Sequence, residues 1–420
     1  MKTNLSIAKD RFLINGALTY QELPHADPRY HGLLMNARMI QGVFDDKSAP
    51  DRFHRYGKTF SPEQNTSELI AALPQWYSMG LRAITVGFQG GGPCFTIDNY
   101  TIENNPYSND GTQIDGAYLS RMDRLIRAAD DLGMVVIVSF FYGAQTRFLK
   151  DDQSVMQAVK TASNWLRGQA FTNVIIEIAN EHDVADFQCH PILYTETGVV
   201  KLMEIAKRES GGLPVGCSGT GGYFSEKIAQ ASDVILIHGN GQSPQCFYNL
   251  LQKAKAIHPV RPVVFNEDSQ AISRLAIAFR EGVSWGYYNN MTKQEPPVYW
   301  EITKGEDEFF ALRLAECLGI PIEKPPVDEQ FYIQGLERHM VYQDKRWIRL
   351  ASLYPEQIDY VEFYRDGQFV GRAYEDPFML NSIGSNWLQN PYPDVIAAGE
   401  RWKAKVFLYN GAVIEKETTV

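Results

Sequence analysis

The chain has no apolar run long enough to cross a bilayer as a helix. The longest, GMVVIVSFFYG at 133–143, has the length of a strand, so no membrane partner is expected. The opening MKTNLSIAKDRFLING lacks the apolar segment and small-residue cleavage site of a signal peptide. That reading leaves an intracellular location or a mature exported form. Cysteine is sparse and odd in number: Cys94, Cys189, Cys217, Cys246 and Cys317, with no CxxC pair. Reduced thiols are expected over a disulfide framework, and a zinc knuckle or redox motif is excluded. Basic charge is also short, with 40 Lys and Arg against 50 Asp and Glu, and a net charge of −10 repels nucleic acid. No GxSxG elbow offers a nucleophilic serine. No HxH stands on the first strand-like run, which disfavours a metal-dependent amidohydrolase. Low-complexity tracts are missing too.

What is present is a globular composition, 44% hydrophobic and 21% charged, in a chain of 420 residues that exceeds one ordinary core. Strand-like runs recur at 33–42, 82–91, 134–143, 173–181, 213–220, 233–240, 262–269 and 283–290. Helical patterns separate them. AYLSRMDRLIRAADDLG places Leu119, Met122, Leu125, Ile126 and Ala129 on one face, and Gly80 and Gly133 punctuate helix ends. Eight β-then-α units predict an α/β fold of the (β/α)8 TIM barrel type. The rival, a doubly wound open sheet, needs a Gly-rich loop opening a helix, and FQGGGPCF at 88–95 precedes no helical pattern.

RFLINGALTYQ at 11–21 reads as a hairpin turning at Asn15-Gly16, placed to plug the bottom of the barrel. The expected division is 1–320 for the barrel, 321–331 for a Pro-rich linker and 332–420 for a small β-sandwich. Asp366-Gly367 and Asn410-Gly411 mark hairpin turns in the last part. The stretches VEFYRDGQFVGRAYEDPF and GERWKAKVFLYNG resemble bacterial immunoglobulin-like modules appended to polysaccharide-degrading enzymes.

EIANEHD at 177–183 and VVFNEDS at 263–269 each deliver an Asn-Glu pair at the end of a run, on the fourth and seventh strands. Functional residues of such barrels sit at the C-terminal ends of strands. Retaining glycoside hydrolysis needs two carboxyl groups about 5–5.5 Å apart, one donating a proton and one attacking the anomeric carbon. Asn180-Glu181 and Glu267 resemble the catalytic residues of the clan A glycoside hydrolases. That resemblance implies Glu181 as acid/base, Glu267 as nucleophile and Asn180 at the sugar 2-hydroxyl. It departs from the usual pattern in lacking a His at the end of the third run and a Pro after Glu181.

Glu267 must stay ionised, and Arg38, at the end of the first run, is the expected donor to it. Glu177 shares the inward face of Glu181, so a buried partner is expected, Arg38 or Arg82. His238 and Asn240 fall at the rim on the sixth run, to orient a carboxylate or bind sugar. The resemblance implies Trp285 as the floor of the sugar subsite, with Gln89 and Tyr142 at sugar-binding positions. Trp76, Tyr107, Phe148, Tyr223 and Phe247 are expected to line the mouth, walled by loops 43–65 and 89–115. Consecutive Glu181, His182 and Asp183 cannot all face one ion, Asp45-Asp46 reads as a solvated turn, and no metal or cofactor is expected. The sequence thus reads as a retaining glycosidase acting on an oligo- or polysaccharide. A catalytically silent carbohydrate-binding barrel and a transglycosylase are the rival readings, and the oligomeric state stays open.

Overall fold

Val and Ile dominate several of the eight apolar runs, and each run contributes a strand. These are β1 (Asn36–Arg38), β2 (Ala83–Gly87), β3 (Val135–Tyr142), β4 (Val174–Asn180), β5 (Val215–Gly216), β6 (Ile235–His238), β7 (Val263–Glu267) and β8 (Gly286–Tyr287). They come from a computed structural model that describes residues 1–55, 57–91, 97–337, 345–381 and 390–420. Cys94 and the end of the FQGGGPCF run lie outside the described residues, and the four described cysteines are free.

Six strands form one parallel sheet in the order β5-β4-β3-β2-β1-β8, and β6 pairs with β7, also in parallel. Backbone bonds reach across both remaining gaps. Phe265 N–H donates to Ser284 O (3.0 Å) between β7 and the approach to β8, and Asp233 N–H to Val215 O (2.8 Å) ahead of β6. Side chains alternate between two buried environments, as strands covered on both faces require. In β3, Val136 and Val138 join the large core shared with the helices, while Val135 and Ile137 face a separate inner cluster.

That inner cluster explains the N-terminal hairpin. Arg11–Ile14 pairs with Ala17–Leu18 and with Leu5–Ala8 in a three-stranded antiparallel sheet. Asn15 and Gly16 both adopt positive φ (54° and 82°), the mirror-image turn that matches strand twist. Leu5 and Phe12 pack on Ala83, Val135 and Ile175, near the starts of their strands. The hairpin therefore covers the end opposite Glu181 and Glu267. Of the helices between strands, Gly116–Leu132 is capped by the Asp115 side chain and stops at Gly133, whose φ of 81° suits glycine.

The C-terminal part is antiparallel. β9 (Phe331–Gln334) pairs with β10 (Arg349–Ser352). β11 (Ile358–Arg365), β12 (Gln368–Ala373), β13 (Arg401–Leu408) and β14 (Val413–Thr419) form a sheet ordered β12-β11-β13-β14. Phe331, Ile348, Val361, Phe363 and Trp402 build a hydrophobic cluster of their own. Arg349 of β10 joins Glu306, on the helix Glu306–Cys317, in a buried ion pair of 2.5 Å. One expectation fails nearby: the Asp45-Asp46 turn is not solvated. Asp46 is buried, ion-paired to Arg52 and bonded to Ser48, because the loop folds back over it.

Candidate active site

Glu181 follows the last residue of β4 with a φ of 54°, a left-handed conformation that costs a non-glycine residue free energy. Its N–H donates to Ser218 Oγ (3.2 Å), and that hydroxyl donates in turn to Glu177 Oε1 (2.6 Å). Asn266 Nδ2 also donates to Glu177 Oε1 (2.8 Å). Neither arginine expected beside Glu177 bonds to it. Arg82 is paired with Glu22 at 2.8 Å, and Arg38 turns to other partners. The inward face of β4 meets neutral donors that follow β5 and lie on β7, and these satisfy the buried carboxylate.

Glu267 ends β7, and Arg38 ends β1. The Arg38 Nε lies 2.8 Å from Glu267 Oε2, and its Nη2 donates to Asn180 Oδ1 (2.7 Å). Asn240 Nδ2 donates to the other Glu267 oxygen (3.1 Å). His238, at the end of β6, sits between the two glutamates, with Nδ1 3.1 Å from Glu181 Oε1 and 3.7 Å from Glu267 Oε2. One oxygen of each carboxylate and a ring nitrogen of His238 all lie within 4.8 Å of one another. Access is uneven: the Glu181 side chain is 22% exposed, the Glu267 side chain 8% and His238 is closed off.

Burial pushes the Glu267 carboxyl above the ordinary carboxylate value; Arg38 and His238 oppose this, and Glu181 and Glu177 add to it. For His238, burial disfavours the charged form, but Glu267 and Glu181 outweigh it and hold the imidazole above its usual value. Among the described residues, Glu181, His238 and Glu267 have the geometry of a small cation site. The Arg38 guanidinium already supplies positive charge there and opposes a second cation.

No protein-family model matches the chain, and no curated protein matches it. Solved structures do. A Bacteroides vulgatus protein, described provisionally as a glycoside hydrolase, matches all of this chain and 76% of its own, with a TM-score of 0.50 at 8% identity. In fold, the chain is similar to glycoside hydrolases. Bacteroides uniformis β-glucuronidase 2, bound covalently to cyclophellitol-6-carboxylate aziridine, matches 100% of the chain and 48% of its own (TM-score 0.47, 12% identity). The β-mannanase of the blue mussel Mytilus edulis matches 69% of the chain and 92% of its own (TM-score 0.42, 14% identity). The chain spans about half the length of the β-glucuronidases it matches.

The remaining residues expected at the site divide. Gln89 is buried and uses its amide within the loops, donating to Asn105 (2.7 Å) and accepting from Tyr142 N–H (3.0 Å). Tyr142 is half-buried beside it. Trp285 is not a subsite floor. It is fully buried, its indole N–H donates to Asp268 (2.8 Å), and its ring packs near Tyr287 and Phe310. β8 begins one residue after Trp285, so the strand end passes to Tyr288, whose ring lies 5.4 Å from the Arg38 guanidinium. Trp76, Tyr107 and Phe247 are likewise core residues, whereas Phe148 and Tyr223 are half-buried. Sequence reasoning missed Tyr288, Ser218 and Asn266. The doubled Tyr in SWGYY and the Asn-Glu pair of VVFNEDS were visible signals for Tyr288 and Asn266; Ser218 had none.

Proposed function

We propose that this chain is a retaining glycoside hydrolase acting on an oligo- or polysaccharide by double displacement, without a cofactor. The observation that carries the reading is the approach of the Glu181 and Glu267 oxygens to within 4.8 Å. That fits the roughly 5–5.5 Å carboxyl spacing of retaining enzymes better than the roughly 6.5–9.5 Å of inverting ones. Glu181, the more open of the two, donates a proton to the leaving oxygen, and Glu267 attacks the anomeric carbon. Glu181 then takes a proton from the water that releases the sugar. Arg38 and Asn240 hold one oxygen each of the Glu267 nucleophile. Arg38 also fixes Asn180 Oδ1, which leaves the Asn180 amide N–H groups for the sugar 2-hydroxyl. His238 sits where it can shift hydrogen bonding between the glutamates as charge moves.

The same reading takes the eight strands as a closed (β/α)8 barrel, and the bonds at Val215 and Ser284 support closure. It takes 1–320 as barrel, 321–331 as linker and 332–420 as an immunoglobulin-like sandwich, which the separate C-terminal core supports. A silent binding barrel is disfavoured because both carboxylates that the chemistry needs are present and lie together.

The test uses a panel of aryl glycosides. Glu267→Ala should lower kcat about a thousandfold or more, equivalent to about 4 kcal/mol of transition-state stabilisation. Azide should restore turnover of the variant and give a glycosyl azide of inverted configuration. Proton NMR of the wild type should show the retained anomer released first. Release of the inverted anomer, or an unimpaired Glu267→Ala enzyme, sinks the mechanism.

A further inference from the structure

A cavity of about 620 Å³ lies between the loops that follow β6 and β7 and the C-terminal strand β12. Its size falls in the roughly 300–1,000 Å³ range of small-ligand sites. One wall is Gly241, Gln242, Ser269 and Arg274; the other includes Tyr374 and Asn381. The first wall continues the catalytic loops directly. Gly241 follows Asn240, which bonds Glu267, and Ser269 stands two residues after Glu267. Two residues of chain span at most about 7 Å, so the cavity starts close to the nucleophile.

The wall on the hydrolase side is rigid. Arg274 ion-pairs with Asp268, donates to Ser269 Oγ (3.1 Å) and bonds the Gln242 carbonyl, tying the β6 and β7 loops together. The opposite wall presents Tyr374, 61% exposed. Arg372 holds that ring, donating to the Tyr374 hydroxyl (3.1 Å) while lying 4.9 Å from the Tyr360 ring. A large aromatic surface fixed in advance binds at a lower entropic cost than a free one. Gln242 Oε1 and Asn381 Oδ1 accept no hydrogen bond from the described residues, although both side-chain amide nitrogens are engaged. Unclaimed acceptors beside an aromatic face suit a neutral, hydroxyl-rich ligand.

We infer that this cavity is an outer saccharide subsite, in which the C-terminal sheet and the loops beside Glu267 together hold a further unit of the same oligosaccharide. The inference rests on the glycosidase reading. It gives the C-terminal part a role in substrate length selection, beyond bracing.

The test compares the full chain with its Tyr374→Ala and Gln242→Ala variants, one on each wall. The substrates are cello-, manno- and xylo-oligosaccharides from disaccharide to hexasaccharide. The expected result is a loss of kcat/KM that grows with chain length, reaching about tenfold on the longest substrate cleaved. A loss equal at every length, or none, overturns the subsite. Titration calorimetry with the hexasaccharides on the Glu267→Gln variant separates this proposal from the catalytic one. Tighter binding of longer chains that Tyr374→Ala weakens supports the subsite even if no bond is cleaved. Failure of every hexasaccharide to bind overturns it.

Discussion

At the scale of single residues, Arg38 joins the parts of the site. It reaches Glu267 with one nitrogen and Asn180 with another, and Tyr288 lies over its guanidinium. Its charge lowers the Glu267 pKa against burial and against Glu181 and Glu177. Removing it as Arg38→Met should therefore raise that pKa further, so the nucleophile ionises only at higher pH. The acid limb of the kcat/KM pH profile is expected to move upward, with kcat reduced on the plateau. Arg38→Lys should not restore the profile, because a single ammonium cannot reproduce the fork that serves two partners. A wild-type profile after either substitution would remove Arg38 from the mechanism. Trp285 teaches the converse lesson. Its place near a strand end was legible, but the strand starts only after it, at Gly286, so the indole lies in the core and Tyr288 stands at the end beside Arg38.

At the scale of elements, two glycines do different work. Gly16 turns the N-terminal hairpin at φ 82°, with nothing near the position where a Cβ would stand. Gly16→Ala should cost about 1–2 kcal/mol from backbone strain alone, read as a lower urea midpoint with kcat intact. Gly286 of β8 lies where β1 and β7 meet. A Cβ there would stand 2.4 Å from Asn36 Oδ1 and 2.5 Å from Phe265 O. Gly286→Ala should cost about 1–3 kcal/mol, and activity as well. The strands it pushes apart carry Arg38 and Glu267, each two residues beyond the contact. Loss of stability without loss of activity would show that the strand ends adjust independently. The hairpins at Asn15-Gly16 and Asp366-Gly367 were readable because positive φ at a two-residue turn selects those residue types. The shortness of β5 and β8, two residues each, was not, since both lie inside longer apolar runs.

At the scale of the whole molecule, the Glu306–Arg349 pair joins the helix Glu306–Cys317 to the C-terminal strands. Arg349→Met leaves a buried carboxylate unpaired and should destabilise by about 3–5 kcal/mol; a double variant with Glu306→Leu should recover most of it. Burial pushes the Glu306 carboxyl up to about 7 against the pull of Arg349. The folded state thus binds a proton more tightly than the unfolded chain, whose carboxyl titrates near 4.5. That contribution to stability is complete below about 4.5 and is lost as pH rises through about 7. Denaturant titrations across that window should show the decline in wild type and a flatter slope in Glu306→Gln. Equal slopes would show that this carboxyl does not titrate on unfolding.

Local pattern was enough to place Glu181 and Glu267 at strand ends, because alternation along a strand and turn chemistry act over a few residues. The short apolar runs argued against a helical membrane span, and the scattered cysteines favoured free thiols, as found for the four described. Which donor each buried carboxylate found was decided only by tertiary structure. Glu177 took Ser218 and Asn266 instead of an arginine, and Arg38 reached Glu267 across 229 positions, because partners inside a core are chosen by packing geometry and not by sequence distance.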